Sequence, residues 1–97
     1  MTVEYHPLTV SDLNNAIAYY NQLRAGLGAE FRSEVYAAIA RARANPFQYA
    51  IVEHGIRRCF AHRFPYSVLF RLINEEAIRI LVIRHHRRQP SFGLGRR

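Results

Sequence analysis

The sequence predicts an α+β fold in the order β-α-α-β-β-β, with a hairpin of two helices packed on a small antiparallel sheet. Two observations carry this prediction. Apolar residues recur every three or four positions in the first half of the chain, and every second position from residue 56 onward. With 97 residues, 49% of them hydrophobic, the chain can fill one core. We therefore expect a single domain over residues 1–97 that ends in a basic tail from about residue 90.

A strand and a helix are predicted first. The segment TVEYH at residues 2–6 is typical of a short strand, which Pro7 ends. Thr9 and Asp12 have the spacing of a capping box, with Asp in place of the usual Glu or Gln, and predict a helix over residues 10–25. Its apolar face would consist of Leu13, Ala16, Ile17, Tyr20 and Leu23.

A second helix follows a tight connection. The two glycines of AGLGAE allow the first helix to stop and the second to start. The second helix ends at Asn45, because the residue before a proline avoids the α region. Its apolar face would consist of Leu27, Phe31, Val35, Ala38, Ile39 and Ala42. So short a connection predicts an antiparallel helical hairpin.

Three strands are predicted after the helices, at residues 56–62, 66–73 and 77–85, with NEE as the turn before the last one. One side of the second of these strands would carry Tyr66, Val68, Phe70 and Leu72. The last strand would place Ile78, Ile80 and Val82 on one face, with Leu81 and Ile83 on the other. Strands apolar on both faces are covered on both sides. Because the hairpin covers one face, we expect the other to be an open apolar groove or the seat of a partner.

Charge is unevenly distributed along the chain. All fourteen cationic side chains are arginine; residues 1–54 hold four of them against five acids, whereas residues 55–97 hold ten against two. The planar donor fork of arginine suits carboxylates and phosphates, although a GC-rich genome also enriches arginine over lysine. The asymmetry predicts an anionic partner for the C-terminal half.

Several classes of protein do not fit this sequence. The single cysteine, Cys59, excludes an internal disulfide framework, fits a reducing cytoplasm and is expected in the core. The first ten residues lack the regions of a signal peptide, and no apolar run approaches the roughly 20 residues that cross a bilayer. Histidines and cysteine lack metal-ligand spacing. We therefore expect a cytoplasmic protein with no cofactor and no membrane partner.

Four segments resemble a known family in their order and spacing. They are YHPLTVSDLNNAIAYYNQL, LGAEFRSEV, NPFQYAIVEHGIRRCFAHRFPYSVLFRL and IRILVIRHHRRQP. The most specific pieces are RFPYSVLFR and the pattern H-x-x-R-x-P at His85, Arg88 and Pro90. Together they are similar to the ParE branch of the bacterial RelE/ParE toxins, which implies a RelE/ParE-like fold and the toxin role in a type II toxin–antitoxin module of the plasmid-stabilisation kind. The resemblance further implies poisoning of DNA gyrase, and neutralisation by a ParD-like antitoxin that wraps the toxin with its C-terminal segment.

Two alternatives remain at this point. The RelE branch contains ribosome-dependent mRNA endoribonucleases, whose chemistry needs acid–base groups and fixed cations. Ser67 stands where that branch typically has an arginine, no tyrosine follows Tyr66, and there is no lysine. We therefore expect no catalytic residues. If the chain is a ribonuclease, the candidates are His86, Arg63, Arg87 and Glu53. The other alternative is a degenerate toxin that only binds its antitoxin.

Binding residues follow from the charge pattern and the resemblance together. The sequence lacks helix-turn-helix, zinc and RNP-like motifs, so we expect no sequence-specific DNA binding of its own. The candidates for target contact are Arg63, Arg87, Arg88, Phe92, Arg96 and Arg97. The candidates for antitoxin contact are Ile17, Tyr20 and Leu27 at an apolar groove of the hairpin, and Arg58 and Arg79 opposite its acidic residues.

Overall fold

The structure is a computed structural model and describes residues 1–97. Its elements are β1 (Thr2–Tyr5), α1 (Pro7–Leu23), α2 (Leu27–Ala44), a 3-10 turn (Pro46–Gln48), β2 (Ile51–Glu53), β3 (Ile56–Phe60), β4 (Tyr66–Asn74) and β5 (Ala77–His85). The α+β class and the helical hairpin are confirmed. The short strand β2 is additional to the predicted order, since three exposed residues are too few to display an alternation.

The sheet is mixed where a small antiparallel sheet was expected. Its strand order is β1-β5-β4-β3-β2. The strand β1 pairs with β5 in parallel, and the other neighbours are antiparallel. As the outermost strand, β1 leaves one edge unpaired, and this edge lies beside the helices. No helix of the chain combines the length and the apolar character that crossing a membrane requires.

The helix α1 begins three residues earlier than predicted. His6 is its N-cap, because its Nδ1 accepts a hydrogen bond from the N–H of Leu8 at 3.1 Å. Pro7 occupies the first helical turn, where its missing N–H costs nothing and its fixed φ favours the helix. The proline that was expected only to end the strand therefore also begins the helix.

The predicted capping box is wrong, because its two side chains bond to β5. The Thr9 hydroxyl donates to the carbonyl oxygen of Ile80 at 3.2 Å. The Asp12 carboxylate accepts the N–H of Ile83 at 3.1 Å. The N–H of Ile83 lies beyond the last residue of β5 that pairs with β1, and Asp12 supplies its acceptor. Thr9 adds a second donor to the Ile80 carbonyl oxygen, which also accepts the N–H of His6 at 2.8 Å. Together these two side chains hold α1 against β5, the strand next to β1.

The two helices approach each other closely at their connection. Gly26 has a φ of 87°, a left-handed conformation that glycine adopts without strain. A Cβ on Gly28 would lie 2.6 Å from the carbonyl oxygen of Ile17. The N–H of Gly28 instead donates to the Asn21 side chain at 2.9 Å. The predicted function of the AGLGAE segment is thus confirmed, with Gly28 serving close packing.

The main core lies between the helices and one face of the sheet. Phe31 is fully buried and its ring contacts Tyr20, Phe64 and Tyr66, with centroids 4.7–5.3 Å apart. Cys59 is buried in the same core, as predicted. The predicted face of β4 is confirmed, since Val68 and Phe70 lie in this core and Tyr66 and Leu72 pack against it.

A bulge in β5 makes the predicted alternation of that strand wrong. The register with β4 shifts at Leu81, which has no Cα partner. Ile83 joins Ile78 and Ile80 in the main core, while Val82 lies with Leu81 on the opposite face. An extra residue in the strand moves every following side chain to the face opposite the predicted one, because side chains alternate with a period of two.

The second face of the sheet is covered by the chain's own tail. Its buried apolar cluster consists of Ile56, Leu69, Leu81 and Val82. Phe92 and Leu94 pack on them, and a Cβ on the intervening Gly93 would lie 2.7 Å from Val82. The expectation of an open groove or a bound partner on this face was therefore wrong, since residues after β5 fold back over it.

Candidate functional site: an apolar groove and a basic end

An apolar groove of about 510 Å³ lies between α1, α2 and the end of β1. Its lining includes Tyr5, Val10, Leu13, Ile17, Tyr36 and Ile39. Val10 is 55% exposed and Tyr36 is 41% exposed, which is unusual for apolar side chains that face the same depression. The Arg32 guanidinium lies over the Tyr36 ring at 5.2 Å and places a positive charge at the rim.

The groove continues along α2 and the unpaired edge of β1. A second depression of about 570 Å³ shares Tyr5, Tyr36 and Ile39 with the first and extends to Met1 and Arg43. We call the two together the helix groove. It combines an apolar floor, a free strand edge and an arginine at either end. Such a surface fits an amphipathic segment that carries acidic residues.

The predicted antitoxin residues separate in the structure. Ile17 lines the helix groove. Tyr20 is buried in the main core, and Leu27 is half-buried against it at the start of α2. Arg58 and Arg79 lie on the strands, where Arg58 contacts the Phe60 ring at 4.8 Å and Arg79 pairs with Glu4 at 3.0 Å.

Sequence reasoning missed Tyr5, Val10 and Tyr36 as groove residues. Val10 lies three residues before Leu13 and seven before Ile17, so its helical spacing with these two groove residues was an available signal. Tyr36 lies outside the predicted apolar face of α2, and that departure from the amphipathic pattern was a second signal.

The basic end of the chain begins where β5 stops. Arg87 and Arg88 are exposed in the turn after β5. The Phe92 ring lies between two guanidinium groups, with Arg88 at 4.5 Å and Arg96 at 5.2 Å from its centroid. Cation–π contacts of this kind hold the tail in place and leave the outer side of Arg88 accessible.

Arg96 and Arg97 have different surroundings. Arg96 forms an ion pair with Asp12 at 2.6 Å and donates to the carbonyl oxygen of Leu81, which the bulge frees. Its side chain is only 13% exposed, so its guanidinium is engaged within the fold. Arg97 is exposed, and its carbonyl oxygen accepts a hydrogen bond from Arg79.

Arg63 lies apart from the tail. Its φ of 69° is left-handed, and its guanidinium pairs with Glu30 of α2 at 2.7 Å. Arg24 pairs with the same carboxylate at 2.9 Å. Hydrogen bonds from Arg63 and then from Arg24 hold the pKa of the Glu30 carboxyl below its usual value. Of the six residues predicted for target contact, Arg88 and Arg96 contact the Phe92 ring, and Arg87 and Arg97 are their neighbours in the chain. Arg63 lies at a separate position against α2.

The residues of the ribonuclease alternative are not brought into one pocket. The His86 ring lies edge-on to Phe60 at 5.3 Å and lines a small basic pocket from which the other three residues are absent. Arg63 pairs with Glu30, as described above. Glu53 lies at the end of β2, 3.3 Å from the His54 ring nitrogen.

His85 packs within the fold and is expected to be neutral. Its ring lies edge-on to Tyr66 at 5.0 Å, and its Nδ1 accepts the N–H of Arg87 at 2.9 Å. Burial lowers the pKa of His85, and the charges of His86, Arg87 and Arg88 lower it further. These contacts match the structural role that residues at strand ends usually have.

The comparisons with known proteins agree with this architecture. The sequence matches the family described as "ParE toxin of type II toxin-antitoxin system, parDE" over residues 3–90. The fold is similar to a chain of the solved chromosomal ParDE TA system from P. aeruginosa, with a TM-score of 0.76. That match has 20% sequence identity and covers 88% of this chain and 95% of that chain, so it concerns the fold alone. No curated protein matches the sequence. Because the family match spans most of its length, the chain belongs to the ParE toxins of type II toxin–antitoxin systems.

Proposed function

We propose that this toxin acts in the cytoplasm by poisoning DNA gyrase and that a ParD-like antitoxin neutralises it. The observation that carries the proposal is the family match over residues 3–90. Poisoning here means binding without turnover: the toxin stabilises the state of gyrase in which the DNA strands are broken. The rigid sheet would present the basic end of the chain to that complex.

The exposed cations at the basic end support an anionic target. Arg87 and Arg88 follow β5 directly, and no carboxylate lies within 4 Å of either. Phe92 is fixed beside Arg88 and offers a partly exposed ring. Cations without a carboxylate partner in the same chain attract DNA phosphates or acidic protein surfaces and give association a steep salt dependence. Arg97 would add to this field, and Arg63 would act only after releasing Glu30.

The helix groove supports neutralisation by an antitoxin segment. An amphipathic helix that inserts apolar residues between Val10 and Tyr36 would remove both from water. Acidic residues of the same segment would meet Arg32 and Arg43 at the rims. A segment that folds on binding can also extend past β1 and reach the basic end.

A charge placed in the helix groove tests this part of the proposal. We expect Tyr36→Glu to weaken antitoxin binding at least tenfold, because a desolvated carboxylate would replace an apolar contact. The matched control is Gln22→Glu, an exposed position on α1 outside the groove. Calorimetric titration with the cognate antitoxin measures both. Equal affinities for the two variants would place the antitoxin elsewhere.

The ribonuclease alternative is distinguished from gyrase poisoning by its product, a cleaved message. Purified toxin added to translating ribosomes leaves message ends unchanged if the proposal is correct. Codon-phased cuts that disappear in His86→Ala would establish the alternative. Growth without arrest, by cells that express a folded toxin still able to bind its antitoxin, would indicate the degenerate form.

A further inference from the structure

A small basic pocket lies on the sheet face opposite the helices, beside the tail. It has a volume of about 170 Å³. Its floor is a row across three strands, in which Phe60 pairs with Ser67 and Ser67 pairs with Arg84. The remaining lining is Arg58, His86, Arg88 and Pro90. Three strands and the turn after β5 therefore contribute polar groups to one depression.

Two polar side chains at the floor of the basic pocket are buried. Ser67 is 2% exposed, and its hydroxyl forms no hydrogen bond within the chain. Arg84 is 9% exposed and donates from Nη1 to the carbonyl oxygens of Pro90 and Phe92. Its Nε and Nη2 have no protein partner. The enclosed side-chain polar atoms without a partner are Arg57 Nε and Arg71 Nε. The free groups of Ser67 and Arg84 are therefore open to the pocket, where they can donate to an additional acceptor.

The charge of the basic pocket is not balanced within the chain. No carboxylate lies within 4 Å of Arg58, Arg84 or Arg88, because the acids that form ion pairs do so elsewhere. Burial, followed by the charge of Arg58, lowers the pKa of the Arg84 guanidinium. A buried cation without a counter-charge is costly, and a bound anion would remove that cost.

We propose that the basic pocket binds a single phosphate group. Its volume equals that of about six water molecules at roughly 30 Å³ each, which is room for a tetrahedral oxyanion. The donors approach from different strands and directions, as the oxygens of a phosphate require. A planar carboxylate is better matched by one guanidinium fork. The phosphate comes either from a free monoester or from the backbone of a nucleic-acid strand, and both have the same recognition chemistry.

The experiment titrates the ¹⁵N-labelled full chain with ligand at constant ionic strength and monitors its amide signals by NMR. One arm uses inorganic phosphate, and the other uses the dinucleoside TpT, whose only charge is one phosphodiester. We expect saturable shifts of the Ser67, Arg84 and His86 amides. Arg84→Met should weaken binding roughly tenfold or more, and Ser67→Ala a few-fold, because each removes donors to a charged ligand. Tighter binding of inorganic phosphate assigns the pocket to a monoester, and tighter binding of TpT assigns it to a strand.

The control is Arg24→Met, which removes the same charge at a surface position on the helix side of the fold. Its affinity should equal that of the wild type. If Arg84→Met does not fold, Arg58→Met takes its place, since Arg58 forms no hydrogen bond with the tail. Absence of saturable shifts in both arms, or equal weakening in Arg24→Met and the pocket variants, would overturn the proposal. Because gyrase and antitoxin are absent from this titration, its result is independent of the proposed function.

Discussion

The two faces of the sheet are covered in different ways. On one face, α1 and α2 bury a cluster of fourteen residues, many of them at helical or strand spacing. On the other face, a cluster of four residues is covered by Phe92 and Leu94 from the end of the chain. The first cover depends on repeated apolar contacts, and the second on a few specific ones. We therefore expect the helix side to determine stability and the tail side to respond sharply to single changes.

The difference also separates the two candidate binding surfaces. The helix groove uses apolar side chains that the helices leave exposed, and it fits a folding partner segment. The basic pocket and the basic end depend on the tail, because Arg84 bonds to tail carbonyls and Phe92 lies between Arg88 and Arg96. Changes in the tail should therefore alter the basic surfaces before they alter the helix groove.

The largest expected effect is on the helix side. Phe31→Ala should lower the free energy of unfolding by about 3–5 kcal/mol, because it removes a fully buried ring from an aromatic cluster. Urea unfolding measures the change. Tyr19→Ala is the control, since Tyr19 is 56% exposed and should cost far less. Similar losses for both would mean that the cluster is not the centre of the core.

The second largest effect concerns the ion pair that anchors the tail. Asp12→Ala should cost about 3 kcal/mol, because Arg96 loses its counter-charge and the N–H of Ile83 loses its acceptor. The two side chains are only 10% and 13% exposed, so solvent screens the pair weakly. A double-mutant cycle with Arg96→Ala measures the coupling. Additive losses would contradict the anchoring role.

A smaller effect is expected at the glycine that contacts the sheet. Gly93→Ala should cost about 1–2 kcal/mol, because its φ is 82° and a Cβ would overlap Val82. Gly95→Ala is a matched control two residues away, where no atom lies within 4 Å of the added Cβ. Thermal unfolding of both variants tests the packing of the tail. Equal melting temperatures would show that the tail does not pack as described.

The smallest effect is a pH dependence from His85. Its folded pKa lies below its ordinary value of about 6.5, so the unfolded chain binds the proton first as the pH falls. The stability that neutral His85 contributes is present above its ordinary pKa. It is lost as the pH falls below that pKa towards the folded pKa of His85. His85→Gln should flatten the profile of unfolding free energy below pH 7. An unchanged slope in the variant would assign the dependence to other groups.

The two faces of the sheet also differ in how much of their structure the sequence predicts. The helices and the buried side of β4 follow from local periodicity, because each side chain's environment is set by its own element. The bulge at Leu81 could not be predicted, because it depends on the register with β4 and on the Arg96 guanidinium, which donates a hydrogen bond to the Leu81 carbonyl oxygen. Glycines such as those at 93 and 95 are typical of a disordered chain end, although the alternation of Phe92, Gly93 and Leu94 was a signal of packing.

The candidate sites were predictable to a similar degree. Ile17 and Val10 share helical spacing on α1, whereas Tyr36 lies outside the predicted face of α2 and lines the groove only once the two helices pack together. Arg84 was not singled out, because an arginine at the end of an apolar strand appears solvent-facing in sequence. Its burial arises from residues that return to it from the tail.

Whether the toxin poisons gyrase is measured by supercoiling of relaxed plasmid with rising amounts of purified toxin. A denaturing step then reveals trapped breaks. We expect supercoiling to fall, linear DNA to accumulate, and the antitoxin to reverse both effects. Unchanged supercoiling with no linear DNA, at a large molar excess of folded toxin, would contradict gyrase poisoning.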